Sequence, residues 1–186
     1  MQRRKFIFAA SALALAGTQA FAQDNAAKQA EIKDKAMKAL DDFYKADPKL
    51  KDAVIKAPGY AVFTTFGLSF GLGGAGGRGI AHDNQTGKDA YMNIAQGSAG
   101  FQLGASNTRY LFIFDSPQAL ANFIDKGWDA SASAAAGVGV GGSNNANIAA
   151  GAGNIQGGRM FQLTKAGLPA GASVSGLKAW KDKDYN

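Results

Sequence analysis

The 186-residue chain has no cysteine and only one histidine. The missing thiols exclude disulfides, thiol catalysis, Cys-ligated metals and a lipoprotein anchor, so stability must come from packing. One histidine excludes a His-rich metal site. After the first 22 residues no apolar run is long enough for a transmembrane helix. Arginine is also scarce there, with only Arg78, Arg109 and Arg159. Neither Lys nor Arg forms a cluster, so the basic stripe expected of a nucleic-acid-binding domain is missing.

What is present begins with an export signal. Arg3, Arg4 and Lys5 precede an apolar stretch from Phe6 to Gly17, and Ala20-Phe21-Ala22 fits a small-x-small cleavage site. Residues 1–22 therefore read as a signal peptide, with residues 23–186 as a single domain. Arg3-Arg4-Lys5-Phe6-Ile7 is also similar to a twin-arginine signal, so general secretion and twin-arginine export both stay open. Either route ends outside the cytoplasm, in the periplasm or the medium, including the periphery of the outer membrane. Without the signal's three cations, 17 Lys and Arg face 14 Asp and Glu, a net charge of +3 rather than +6.

Residues 24–46 carry Ile32, Ala36, Ala39, Leu40 and Phe43 on one helical stripe, widened by Met37 and Tyr44. Glu31–Lys35, Asp34–Lys38 and Asp41–Lys45 set an acid four residues before its base on the polar side, the favourable order for helical ion pairs. A neutral, internally paired polar face suits a helix packed on its own domain. Asp47-Pro48 opens a second helix through Lys56, and Ala57-Pro58-Gly59 ends it. Strands then follow: Tyr60 to Phe66, the glycine-rich run, a turn at Asp83 to Gly87, and a meander over 88–96, 98–105 and 109–114. Ser116-Pro117 starts a helix that stops at Gly127. Strict small-residue alternation over 130–141 predicts a long strand, a turn or loop spans 142–147, and 148–153, 158–164 and 171–180 read as three short strands. These elements predict an α+β fold: N-terminal helices packed on a curved, partly closed antiparallel sheet or barrel with one inserted helix.

The run Phe70-Gly71-Leu72-Gly73-Gly74-Ala75-Gly76-Gly77-Arg78-Gly79 holds two overlapping G-x-G-x-x-G matches. Dinucleotide binding needs a helix directly after such a run, and here a turn follows. Read with the strand period, Gly71, Gly73, Ala75, Gly77 and Gly79 make one nearly bare face, suited to close packing against protein or ligand. Catalytic chemistry is absent from the pattern. His82 beside Asp83 lacks a third group, Thr86-Gly87-Lys88-Asp89 lacks the P-loop glycine and hydroxyl, and Gly97-Ser98-Ala99-Gly100 has the wrong spacing for a nucleophile elbow. No catalytic residue, metal ligand or cofactor is assigned. Arg78, Arg109 and Arg159 lie in strands among apolar neighbours, and Lys178 and Lys181 flank Trp180. With Phe70, the set Arg78, Arg109, Arg159, Lys178 and Trp180 forms the candidate surface for an anionic headgroup, because guanidinium groups engage phosphate in a planar fork. The bland alternative is that these are strand-edge charges that discourage edge pairing.

The segments Ala57-Pro58-Gly59-Tyr60-Ala61-Val62-Phe63, Phe70 to Gly79, Tyr91 to Gly104, Gly127-Trp128-Asp129-Ala130 and Gly167 to Gly176 resemble the SYLF domain in order and spacing. The resemblance implies a lipid-binding module. Eukaryotic members bind phosphoinositides and take part in actin organisation, whereas bacterial members are exported. The chain departs from the family at Thr64, where Pro is frequent, and in its charge-balanced first helix. Actin is not expected as a partner of an exported protein. The reading from sequence is a non-catalytic, exported binder of phospholipid or a membrane surface. The alternative is a structural, self-associating envelope protein without a lipid ligand.

Overall fold

A computed structural model describes residues 11–130, 150–164 and 176–186. Helix α1 spans Ser11–Ala46 and α2 spans Lys49–Lys56; two very long strands follow, β1 (Gly59–Asp83) and β2 (Asp89–Phe114). Helix α3 (Pro117–Lys126) leads to β3 (Trp128–Asp129), and β4 (Ala150–Ile155), β5 (Gly158–Thr164) and β6 (Leu177–Lys181) complete the described elements. Residues 131–141 of the segment read as a long strand, the 142–147 loop, residues 148–149 and residues 171–175 of the last expected strand lie outside the described residues.

Local chemistry sets the boundaries. Asp47 Oδ1 accepts from the Lys49 N–H, capping α2 beside Pro48. Ser116 Oγ accepts from the Ala119 N–H with Pro117 directly after it, so α3 starts with a side-chain cap. Gly87 and Gly157 take positive φ in the tight turns that join β1 to β2 and β4 to β5.

The meander expected over residues 88–114 is instead one continuous strand. β1 and β2 pair antiparallel from Gly59↔Phe114 to His82↔Asp89, with a single register shift between Phe70 and Leu72. Gly97 and residues 106–108 carry no turn chemistry strong enough to break the ladder. The far edge of β2 is shared: its first half pairs with β6 (Met92↔Lys181 to Gln96↔Leu177), its second half with β5 (Thr108↔Thr164 to Phe114↔Gly158). β3 and β4 extend these two wings, giving six antiparallel strands among the described residues.

The hairpin then folds over on itself. A Cβ on Gly77 would lie 1.9 Å from the Thr64 carbonyl oxygen, and one on Gly79 2.0 Å from that of Val62. The first half of β1 thus seats its carbonyls against the glycine face of its second half, where the glycine hydrogen makes a weak Cα–H···O contact. The result is the α+β architecture read from sequence, a curled antiparallel sheet with helices packed on it. Its concave side is filled. Phe63, Phe112 and Phe114 surround Phe123 of α3, with ring centroids 5.0–6.3 Å apart, and Met92, Ile94, Met160, Leu177 and Ala179 close the core. Each such ring contributes roughly 2–3 kcal/mol on burial.

The convex side is covered by α1. Ile32, Ala36, Ala39, Leu40 and Phe43 pack on Tyr60, Val62, Ile80, Leu111 and Ile113, joined by Leu50 and Val54 of α2. Tyr44 is partly buried in this layer, but Met37 is among the exposed hydrophobics, so the buried stripe is narrower than the pattern predicts.

Candidate functional site

The fold-over decides which charges meet. Thr64 pairs with Arg109, and the Thr64 carbonyl sits on Gly77, the neighbour of Arg78. Two arginines far apart in sequence therefore open into one groove between α1 and the convex sheet face. It encloses about 780 Å³ and is lined by Arg78, Arg109, Thr64, Phe66, Asn107 and one flank of α1. Its lining holds six cations (Lys28, Lys35, Lys38, Lys45, Arg78, Arg109), each within ion-pair distance of an acid: Asp24, Glu31, Asp34, Asp41, Asp182 and Asp42 in turn.

The two arginines are held differently. Arg109 is 7% exposed, and its Nη2 lies 3.0 Å from Asp42 Oδ2 on α1. The Arg78 side chain is half-exposed; its guanidinium stacks 5.1 Å from the Tyr185 ring centroid, with Nε 3.6 Å from Asp182 Oδ2. The segment carrying these two partners is clipped to the sheet. Asn186 accepts from Tyr91 N–H and donates to Tyr91 O, while Gln29 of α1 donates to Tyr185 O. Phe66 is 59% exposed, an apolar surface on the same groove. On α1, Glu31–Lys35 and Asp41–Lys45 pair as the i, i+4 spacing predicts. The pairing raises the Lys45 pKa and lowers that of Glu31, chiefly through hydrogen bonding.

The other sequence candidates lie elsewhere. Arg159 is exposed on β5, opposite Ile113. Lys178 reaches Asp129 at 3.6 Å, and Trp180, 41% exposed, stands opposite Asn93, which in turn faces Arg78 across the ladder. Phe70 is placed only by its backbone register with Leu103. Gly71 falls at the register shift and Gly73 pairs with Ser98.

The bare surface open to solvent is on the opposite side from Gly77 and Gly79. Gly74, Gly76 and Gly97 are exposed, and no atom lies within 4 Å of a Cβ placed on Gly76 or Gly97. Phe66 and this outward glycine patch escaped the sequence reading. Continuing the alternation Tyr60, Val62, Thr64 would have placed Phe66 beside Arg109, but which face α1 leaves uncovered is a tertiary matter.

His82 sits at the end of β1 with Nδ1 2.6 Å from Asp89 Oδ1, not beside Asp83 in function. Lys33 Nζ approaches the other Asp89 oxygen at 2.6 Å. Burial opposes charge on Asp89, yet the hydrogen bonds from Lys33 and His82 outweigh it and hold its pKa below the usual carboxylate value. Tyr60 stacks on the His82 ring, and burial pushes its phenol up to about 12. Both Asp89 oxygens are committed, so this trio straps α1 to the hairpin. Among the described residues no cluster of three or more acidic or His side chains could hold a metal ion.

Fold and groove define a small α+β half-barrel module with a filled core and a surface cleft lined by ion-paired side chains and two arginines. Residues 95–186 match the family described as Ysc84, Las17-binding protein actin regulator. The chain is 30% identical over 161 residues to beta cell expansion factor A of Aeromonas veronii, an alignment covering 85% of this chain and 59% of that protein. Residues 95–186 therefore carry a SYLF (Ysc84) family domain. It spans less than two thirds of the relative's length.

Proposed function

We propose that this protein is a non-catalytic, exported binder of anionic phospholipid that engages membrane surfaces through the α1–sheet groove. The observation that carries the reading is the convergence of Arg78 and Arg109, the one half-exposed and the other in the groove wall, on a single groove. Guanidinium forks match phosphate oxygens, and exposed Phe66 offers an apolar contact at the headgroup boundary. The filled concave core argues for headgroup recognition at the surface over enclosure of an acyl chain. The signal-like residues 1–22 support a periplasmic or secreted location, and membership of a binding-domain family supports a role without turnover. The Las17 and actin named in the family description are not carried over to an exported chain.

Co-sedimentation with vesicles tests this reading. Binding to vesicles of phosphatidylglycerol in phosphatidylcholine, with little to phosphatidylcholine alone, is expected. No binding to either, or equal binding to both, rejects it.

One observation favours a second reading. The exposed flat patch of Gly74, Gly76 and Gly97, with Trp180 on the same sheet, suits a second copy laid on the sheet. Mass that rises with concentration in light scattering, without lipid binding, would favour self-association.

A further inference from the structure

We propose that Asp42 is an internal stand-in for the ligand's phosphate: in the free protein its carboxylate occupies the place at Arg109 that a phosphate oxyanion takes on binding. The inference rests on the groove being an anion site, as argued above. A buried guanidinium requires a counter-charge. Asp42 Oδ2, at 3.0 Å from Nη2, supplies it.

This pair differs from the others on α1. Lys28–Asp24, Lys35–Glu31, Lys38–Asp34 and Lys45–Asp41 each join neighbours on one helix, with all side chains well exposed. Arg109–Asp42 joins helix to sheet with the cation as the buried end, the Arg109 side chain being 9% exposed and Asp42 38%, whereas in Lys33–Asp89 the carboxylate is the buried end. Asp42 can therefore turn into water, while Arg109 stays in the groove wall. One guanidinium edge can then take a phosphate in place of the carboxylate, without leaving a buried cation unpaired. Binding becomes an exchange of one oxyanion for another. Asp42 thereby weakens the site for weak anions and holds α1 on the sheet when no ligand is present.

The test compares Asp42→Asn with Asp41→Asn. Both remove one negative charge from the groove lining, but Asp41 pairs with Lys45 and not with Arg109. Asp42→Asn is expected to bind phosphatidylglycerol vesicles about tenfold more tightly than wild type, as for two groups competing for one partner. It should also melt at lower temperature without ligand and regain stability when vesicles are added. Asp41→Asn should show neither the full gain nor the ligand-dependent recovery. Free glycerol phosphate at matched ionic strength distinguishes the sources: recovery with it assigns the site to soluble phosphate as well, and recovery with vesicles alone assigns it to lipid. Equal gains for both variants, or wild-type affinity for Asp42→Asn, overturn the exchange while leaving lipid binding intact. Failure of wild type and both variants to bind either probe overturns the binding reading itself.

Discussion

The Thr64 carbonyl oxygen lies 1.9 Å from where a Cβ on Gly77 would stand, so two halves of one strand meet backbone to backbone. This contact folds the long hairpin and carries Arg109, the ladder partner of Thr64, to the flank of Arg78. Curvature and candidate site share one cause.

Gly77→Ala should therefore destabilise strongly, because the added methyl meets backbone that cannot swing aside. A loss of about 3 kcal/mol or more is expected, at the upper end of overpacking costs. Gly76→Ala is the control: its Cβ meets nothing within 4 Å, and it should be neutral or gain up to about 1 kcal/mol. Urea denaturation midpoints of the two variants check the contrast, and similar midpoints would refute the fold-over contact.

Phe123→Ala should cost about 3–5 kcal/mol. Phe123 is nearly fully buried and touches Phe63, Phe112 and Phe114, so it plugs the concave side of the sheet. Chemical denaturation followed by tryptophan fluorescence reads the loss, since Trp128 packs on Phe112 in the same core. A change below about 1 kcal/mol would mean that α3 is not part of the core.

Asp89 gives stability a pH signature. Its folded-state pKa is depressed relative to the unfolded chain, so its contribution is complete above the ordinary carboxylate range. That contribution fades as pH falls below about 4, through the folded-state value. Asp89→Asn should be less stable at neutral pH by about 1–3 kcal/mol, since Lys33 and His82 lose a shared acceptor. It should also lose less between pH 5 and pH 3 than wild type does. Parallel acid-unfolding curves for the two proteins would contradict the strap.

Arg78→Gln should lower affinity for phosphatidylglycerol vesicles several-fold and also lower the melting temperature, because it removes the counter-charge of buried Asp182. Raising salt from 0.05 to about 0.3 M should weaken wild-type binding and narrow the gap between the two proteins. Co-sedimentation across a salt series measures both. An effect of Arg78→Gln that does not change with salt would mean its role is not electrostatic.

Much of the fold was legible where short-range chemistry acts. Asp47-Pro48, Ser116-Pro117 and Gly127 marked helix ends, and the i, i+4 charges on α1 paired as spaced. Strand lengths were not legible. Gly97 and residues 106–108 looked like breaks, yet a ladder partner at each of them kept the strand extended. The bareness of the Gly77–Gly79 face was visible, but not that the chain's own carbonyls cover it.

The candidate site was legible only as a set of residue types. Arg78 and Arg109 stood out because arginine is rare among strands, while nothing in their spacing joined them or separated them from Arg159, Lys178 and Trp180.

By itself the order of residues determined the class of this protein: an amphipathic helix, and antiparallel strands whose glycines permit contact without side chains. Those are local properties, set by dihedral preference, side-chain volume and alternation. The tertiary structure alone decided which glycine face turns inward, which arginines share a groove and which carboxylate stands against them. Such pairings depend on how a bent hairpin closes on itself and where a helix settles across it, and no local preference encodes that meeting.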